Sequence, residues 1–258
     1  MKKYVLDLIV ESVERINSKY VLIKLTHEEQ LPAMKPGQFV EVRVDDSTPT
    51  FLRRPISINM LDTENNCLWL LVAVVGEGTR HLSCLQEGDK LNCMLPLGNG
   101  FTMPVSAQER MLLVGGGVGV APLLYMGRAM SDMGCKPTFL LGARSAGDLL
   151  LIDEFKKYGR VCVTTEDGSA GEKGFVTNHS ILHTGRFDRI SCCGPKPMMV
   201  AVARYASQND IDCEVSLENK MACGVGACLC CVEGTKDGNL CVCKEGPVFN
   251  IKKLLWQI

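Results

Sequence analysis

The chain has little net charge and no long hydrophobic run, and each shortage removes a class of function. Its 28 Lys and Arg against 29 Asp and Glu leave a net −1, which gives neither nucleic acid nor an anionic membrane surface an electrostatic reason to bind. The longest strongly apolar stretch, 68–75, is eight residues, against the roughly 20 needed to span a bilayer. The four histidines, His27, His81, His179 and His183, are expected in ordinary packing or surface positions. The opening Met1-Lys2-Lys3 leads straight into alternating strand-like residues rather than a signal-peptide core, so no membrane association and a cytoplasmic location are expected. There is no internal repeat and no low-complexity segment.

What the chain does have is cysteine, fourteen in 258 residues. Seven of them, Cys67, Cys84, Cys93, Cys135, Cys162, Cys192 and Cys213, are scattered among apolar neighbours and read as small hydrophobes. Near the C-terminus, Cys223, Cys228 and Cys231 are spaced C-x4-C-x2-C and Cys243 follows, among Gly224, Gly226, Gly234 and Gly238. This is the loop spacing of a plant-type [2Fe-2S] cluster, in which glycines let the backbone turn sharply and approach the sulfides. A structural zinc site is the competing reading. It normally pairs two C-x2-C hooks, whereas the second hook here is the cramped Cys241-Val242-Cys243. A disulfide knot fits a reducing compartment poorly. The spacing selects Cys231 over Cys230 but does not choose between Cys241 and Cys243.

At 258 residues the chain suits about two domains and a small appendage. The first hundred residues carry strand patterns at 4–10, 21–25, 39–44, 56–59, 68–75 and 90–94, broken by Pro36-Gly37, Asp45-Asp46 and Glu87-Gly88-Asp89. Many short strands at this spacing predict a closed β-barrel. From Arg110 the pattern alternates: strands at 111–114, 138–141, 161–164 and 189–193, helices at 123–133, 148–157 and 197–208. That alternation predicts a parallel sheet covered on both faces. The expected domains are a barrel at 1–102, an α/β domain at 103–216 and a cluster domain at 217–258.

Four further motifs bear on chemistry. Gly115-Gly116-Gly117-Val118-Gly119 joins a strand to a helix with Pro122 in its first turn, where backbone N–H groups and the helix dipole favour a dinucleotide pyrophosphate. It lacks the third glycine of the G-x-G-x-x-G fingerprint and also reads as a tight turn alone. Arg53-Arg54-Pro55-Ile56-Ser57 puts a phosphate-binding fork or a solvated pair at a strand mouth. Gly76-Glu77-Gly78-Thr79 offers N–H groups to a phosphate or simply ends a hairpin. Cys193-Gly194-Pro195-Lys196-Pro197 puts a thiol at the sheet's C-terminal edge, where α/β ligands sit.

In this order the motifs resemble those of the ferredoxin-NADP reductase superfamily, whose barrel binds a flavin and whose α/β domain binds a nicotinamide nucleotide. The tail from Met221 to Cys231 and the ending Cys243-Lys244-Glu245-Gly246-Pro247-Val248-Phe249 resemble a narrower family, the electron-transfer subunits of NAD-using dihydroorotate dehydrogenase. The resemblance implies that Arg54, Pro55, Ile56 and Ser57 cradle FAD, with Gly78 and Thr79 on its phosphates and backbone groups of Leu71, Val72 and Ala73 lining it. The family often has an arginine where this chain has Ala73. It implies that Gly115, Gly116, Gly117 and Gly119 face NAD, and that Cys193 is the catalytic-site thiol near the meeting of the two rings. It also implies that Cys223, Cys228, Cys231 and Cys243, rather than Cys241, hold the cluster.

The resemblance further implies a partner, an FMN-containing catalytic subunit that oxidises dihydroorotate to orotate, in a heterotetramer of two of each. Electrons would pass singly through the cluster to FAD and leave as hydride to NAD. Glu166 and Asp167, after the 161–164 strand, favour NAD over NADP by accepting from a ribose 2′-OH, whereas Arg144 could pair with a 2′-phosphate. A flavin reductase subunit of another complex (ferredoxin-NADP oxidoreductase, sulfide dehydrogenase or hydrogenase type) and a colourless zinc-binding interaction protein are the alternatives.

Overall fold

A computed structural model describes residues 2–45 and 50–258. Met1 and Asp46, the second residue of the expected Asp45-Asp46 turn, lie outside the described residues. Six antiparallel strands form the first unit: β1 (Tyr4–Arg15), β2 (Tyr20–Thr26), β3 (Phe39–Val42), β4 (Arg54–Asp62), β5 (Cys67–Ala73) and β6 (Lys90–Leu97). They close into a barrel in the order β1-β2-β5-β4-β3-β6, which leaves no edge to pair with another chain. Alternation points Leu8, Val10, Ile23, Leu25, Leu68 and Leu70 into one core. A short helix, α1 (Glu77–Leu82), follows β5.

The second unit is a sheet in the order β10-β9-β8-β7-β11-β12-β15. Its strands are β7 (Met111–Gly116), β8 (Thr138–Ala143), β9 (Arg160–Thr165), β10 (Glu172–Lys173), β11 (Arg189–Cys193), β12 (Asp212–Ser216) and, from the tail, β15 (Val248–Asn250). The helices are α2 (Ala121–Asp132), α3 (Ile152–Lys156), α4 (Ile181–Thr184) and α5 (Lys196–Gln208). Every residue of β7 is buried, as a strand covered on both faces requires. Its period of two divides it between two cores. Leu112 and Val114 pack with Val202, Ala203 and Ala206 of α5, while Met111 and Leu113 pack with Leu123 and Leu124 of α2.

The strand order reverses at β7, which has β8 on one side and β11 on the other. The glycine turn after β7 and Cys193 at the end of β11 therefore meet at a topological switch point, where open α/β sheets bind ligands. The barrel is tied to this sheet by Asn59, whose Nδ2 donates to the Ala121 carbonyl at 2.9 Å, and by Tyr125, whose hydroxyl donates to the Met34 carbonyl at 3.0 Å.

The tail carries a hairpin, β13 (Val232–Thr235) and β14 (Gly238–Cys241), and a single turn, α6 (Val242–Glu245). Its strand β15 then pairs antiparallel with β12, with Val215 opposite Phe249. The stretch 217–258 thus contributes a strand to the nucleotide-domain sheet. Among the described residues no helix is long and apolar enough to cross a membrane.

Candidate functional site

The first cavity, about 360 Å³, opens between the barrel and the start of the tail. Arg54, Pro55, Ile56 and Ser57 from β4, Leu71 and Ala73 from β5, and Thr79 from α1 all line it. Val72 does not, because strand alternation turns its side chain into the barrel core. The two adjacent arginines divide their work. Arg53 points inward, donating to the carbonyls of Glu41 and Asn92 at 3.1 Å each and to Asn92 Oδ1 at 2.5 Å. Arg54 stays on the cavity wall and donates to the Leu52 and Arg53 carbonyls at 2.9 and 3.2 Å.

The Gly76-Glu77-Gly78-Thr79 motif opens α1 rather than ending a hairpin. Thr79 Oγ1 accepts from the N–H groups of Val75 and Gly76 at 2.9 and 3.0 Å and donates back to the Gly76 carbonyl. Its hydroxyl is therefore engaged within the turn. A Cβ at Gly78 would sit 3.0 Å from Arg54 Nε and 3.1 Å from Thr50 Cγ2, so the bare glycine leaves room for the guanidinium. Residues 218–221 and Phe39 also line this cavity. The sequence reading missed them as cavity residues; the one signal for 218–221 was their place just before the first motif cysteine, and Phe39 carried only a strand pattern.

The second cavity, about 710 Å³, lies over the C-terminal ends of the parallel strands. Gly116 and Gly117 line it, with Arg144, Glu166 and Pro195. Gly117 has φ +56°, in the left-handed region that favours glycine. Gly115 and Gly119 do not line it. A Cβ at Gly115 would meet Val120 Cγ1 at 2.9 Å, and one at Gly119 would meet the Cys193 carbonyl oxygen and Gly194 Cα at 2.5 Å. These two glycines serve close packing rather than the cavity wall. Asp167 is likewise absent from the lining and accepts from the Ser169 N–H and hydroxyl. Lys19 and Tyr20 of the barrel close the cavity from the other side, and Lys19 pairs with Asp148 at 2.6 Å. Neither was expected from sequence, since both follow β1, far from any motif.

Cys193 sits between the cavities and lines neither. It ends β11, flanked by Gly115 of β7 and Ser216 of β12, and is 1% exposed. Burial pushes its thiol well above the ordinary range, Glu218 adds to that, and a hydrogen bond with Ser216 only partly offsets them. A protonated, covered thiol is inert as a nucleophile.

The tail brings the motif cysteines together in two pairs. Cys223 and Cys228 are hydrogen-bonded, as are Cys231 and Cys243. Backbone N–H groups point at the sulfurs: Val225 and Ala227 donate to Cys223 Sγ at 3.5 and 3.3 Å, Gly226 to Cys243 Sγ at 3.1 Å, and Cys243 to Cys231 Sγ at 3.3 Å. Burial raises the Cys223 thiol, but the donors from Val225, Cys228 and Ala227 outweigh it and bring it down to about 6. Burial and the contact with Cys231 push Cys243 up to about 12. Cys241 instead donates to the Gly226 carbonyl at 3.9 Å, and Cys230 is exposed. Among the described residues no three Cys, His, Asp or Glu side chains converge on one metal position. Two thiols per iron, with backbone N–H donors on the sulfurs of Cys223, Cys231 and Cys243, is the donor set a binuclear cluster needs.

Comparison with known proteins agrees with this geometry. Residues 218–255 match the family described as the iron-sulfur cluster binding domain of dihydroorotate dehydrogenase B, and residues 113–204 match the oxidoreductase NAD-binding domain. The chain is 38% identical over 253 residues to the dihydroorotate dehydrogenase B (NAD(+)) electron transfer subunit of Shouchella clausii, covering 96% of each chain. It is 40% identical over 221 residues to the subunit of the same name from Fusobacterium nucleatum, covering 83% of this chain and 84% of that one. Among solved structures, a chain of the NADH-dependent reduced ferredoxin-NADP oxidoreductase superposes with a TM-score of 0.86 at 31% identity, over 99% of this chain and 92% of its own. Full-length similarity to the curated subunits, with the iron-sulfur match falling on the paired cysteines, means that the chain belongs to the family of electron-transfer subunits of NAD-dependent dihydroorotate dehydrogenase B.

Proposed function

We propose that this chain accepts electrons from an FMN-containing catalytic subunit that oxidises dihydroorotate, and passes them through a [2Fe-2S] cluster and FAD to NAD. The observation that carries this reading is adjacency: Lys220 and Met221 line the same cavity as Arg54 and Ser57, and Cys223 begins the thiol loop two residues later. FAD, when bound, supplies the exchange between the hydride of a nicotinamide and the single electrons of a cluster. The rest falls to this chain's own residues.

Arg54 would hold the pyrophosphate of FAD through a bidentate fork, with the backbone of Gly78 and Thr79 beside it. Pro55, Ile56, Ser57, Leu71 and Ala73 would form the wall against its ring, while Val72 holds β5 in the barrel. Ala73 offers no cation of its own. Gly116 and Gly117 would face the pyrophosphate of NAD, and Gly115 and Gly119 would keep the turn close enough to do so. Cys193 is assigned a positioning role at the edge between the cavities, with its thiol protonated. Glu166 on the cavity wall would accept from the adenosine ribose and repel a 2′-phosphate. Cys223 with Cys228, and Cys231 with Cys243, would each hold one iron.

The working assembly would be a cytoplasmic heterotetramer of two such chains and two catalytic subunits. The test is dihydroorotate-dependent NAD reduction by this chain co-expressed with the catalytic subunit and purified without air. Turnover that disappears when this chain is omitted is expected. No turnover from a complex with both flavins and cluster intact would transfer the chain to another reductase assembly, such as one built on its ferredoxin-NADP oxidoreductase relative.

A further inference from the structure

Glu41 lines neither cavity. It lies in β3, whose four residues are all buried, and it is completely shielded from solvent. Both of its carboxyl oxygens lack a hydrogen-bond partner among the described residues. A carboxyl in that position is costly to the fold, and nothing in the barrel's own architecture requires it, since its neighbours Val40 and Val42 fill the core.

Its surroundings point toward electron transfer. A Cβ built on Gly224 would lie 2.8 Å from Glu41 Cγ and 3.3 Å from its Oε1, so the side chain lies against the backbone of the residue that follows Cys223. Gly224 has φ +66°, and its missing side chain is what allows this approach. Also near Glu41 are Arg53, which donates to the Glu41 carbonyl, and Arg54 of the flavin cavity wall. Burial raises the Glu41 carboxyl, Arg53 and Arg54 pull it down and Cys223 pushes it up, leaving it at about 7. The group thus feels the cavity and the thiol loop together.

We propose that Glu41 is a positioning residue for electron flow, whose buried carboxylate lowers the reduction potential of a cluster at Cys223 relative to that of the flavin and so favours onward transfer. A negative charge held in a low-dielectric site disfavours adding an electron beside it, and second-layer charge and hydrogen bonding are established controls of cluster potential. The inference rests on the proposed ligand set of Cys223, Cys228, Cys231 and Cys243.

The experiment is a redox titration of the purified complex on the alkaline side of neutrality, following the cluster by electron paramagnetic resonance and the flavins by absorbance. E41Q and E41M are compared with wild type after iron and labile sulfide are measured. E41M removes the buried polar group altogether, so it keeps the test open if E41Q assembles poorly. Both variants are expected to retain the cluster and to move its potential in the positive direction by more than they move the FAD. An intact cluster whose potential is unmoved, moves negative, or moves only together with the flavin overturns the proposal. A wild-type chain that assembles no cluster would instead overturn the ligand assignment.

Discussion

Replacing Gly119 by alanine tests whether the glycine turn is held against the end of β11 as the structure has it. The new Cβ would stand 2.5 Å from the Cys193 carbonyl oxygen and from Gly194 Cα, and 2.6 Å from the Cys193 carbonyl carbon. All three are backbone atoms, so no side chain can swing aside. Comfortable contact needs about 3.5 Å, so the turn and the strand end must separate by about 1 Å. Overpacking of this kind costs about 1 to 3 kcal/mol, or roughly 3 to 9 °C in melting temperature for a chain of this size. The same shift displaces Gly116, Gly117 and Pro195, which line the nucleotide cavity. A misplacement of about 1 Å in a positioning element lowers rate by up to about 100-fold. The assay is NADH-dependent reduction of an artificial dye by the flavin-loaded chain, beside thermal unfolding. Gly76→Ala is the control, because its Cβ would meet nothing within 4 Å and its φ of −151° suits any residue. A G119A chain with unchanged melting temperature and unchanged kcat/KM for NADH would refute the packing on which the nucleotide site depends.

Three further outcomes follow from other parts of the chain. Cys231→Ala and Cys243→Ala should lose iron and labile sulfide, while Cys230→Ala and Cys241→Ala keep both; the reverse pattern would show the register misassigned. NADH should support dye reduction better than NADPH, and E166Q should narrow the gap by about 10-fold, measured as the ratio of kcat/KM values; equal use of both by wild type would end the assignment of Glu166. Hydrogen bonds from the Arg110 side chain and then its N–H draw the Asp188 carboxyl down to about 2, below its unfolded value of about 3.9. The pair's contribution is then full above pH ~4 and disappears as pH falls through 2. The stability difference between wild type and D188N, from urea unfolding at several pH values, should shrink over that window; a difference independent of pH would contradict it.

The first barrel strand was legible because β1 is covered on one face there and alternates, as Leu8 and Val10 do, and β3 and β5 were legible as short apolar runs bounded by turn residues. The 111–114 run was legible because a strand covered on both faces is apolar throughout. The strand β15 was not, since three residues become a strand only by pairing with β12. Helix α1 was hidden by Gly76 at its N-cap and Gly78 inside it, glycine being a poor helix former; its start is stabilised by Thr79 Oγ1 and by an Arg80–Glu77 pair at 2.8 Å. The glycine cluster was visible as a motif, but the separation into cavity-facing Gly116 and Gly117 and packing Gly115 and Gly119 depends on Cys193 and Gly194, far along the chain. The choice of Cys243 over Cys241 had the same character. Spacing left it open, and the N–H of Cys243 pointing at Cys231 Sγ is a tertiary fact that favours it.

The anchoring of the tail bears directly on how electrons could cross this chain. The segment leaves the sheet at Ser216 of β12 and returns to that same strand through β15. In between, Asn99 of the barrel region takes hold of it: its Nδ2 donates to the Lys244 and Glu245 carbonyls at 3.2 and 3.0 Å, and its N–H to the Gly246 carbonyl at 2.6 Å. The Leu217 N–H donates to the Pro247 carbonyl at 2.9 Å, closing the base of the loop. The thiol loop is therefore pinned to the sheet at both ends and to the barrel near Cys243, while Gly224 is pressed onto Glu41 of β3 near Cys223. A loop tethered only at Ser216 would let the distance between cluster and flavin vary. Here both thiol pairs are tied to the barrel that supplies Arg54 and Ser57 to the flavin cavity, so the same contacts that fold the tail set the separation, and a preorganised site need not rearrange for each electron.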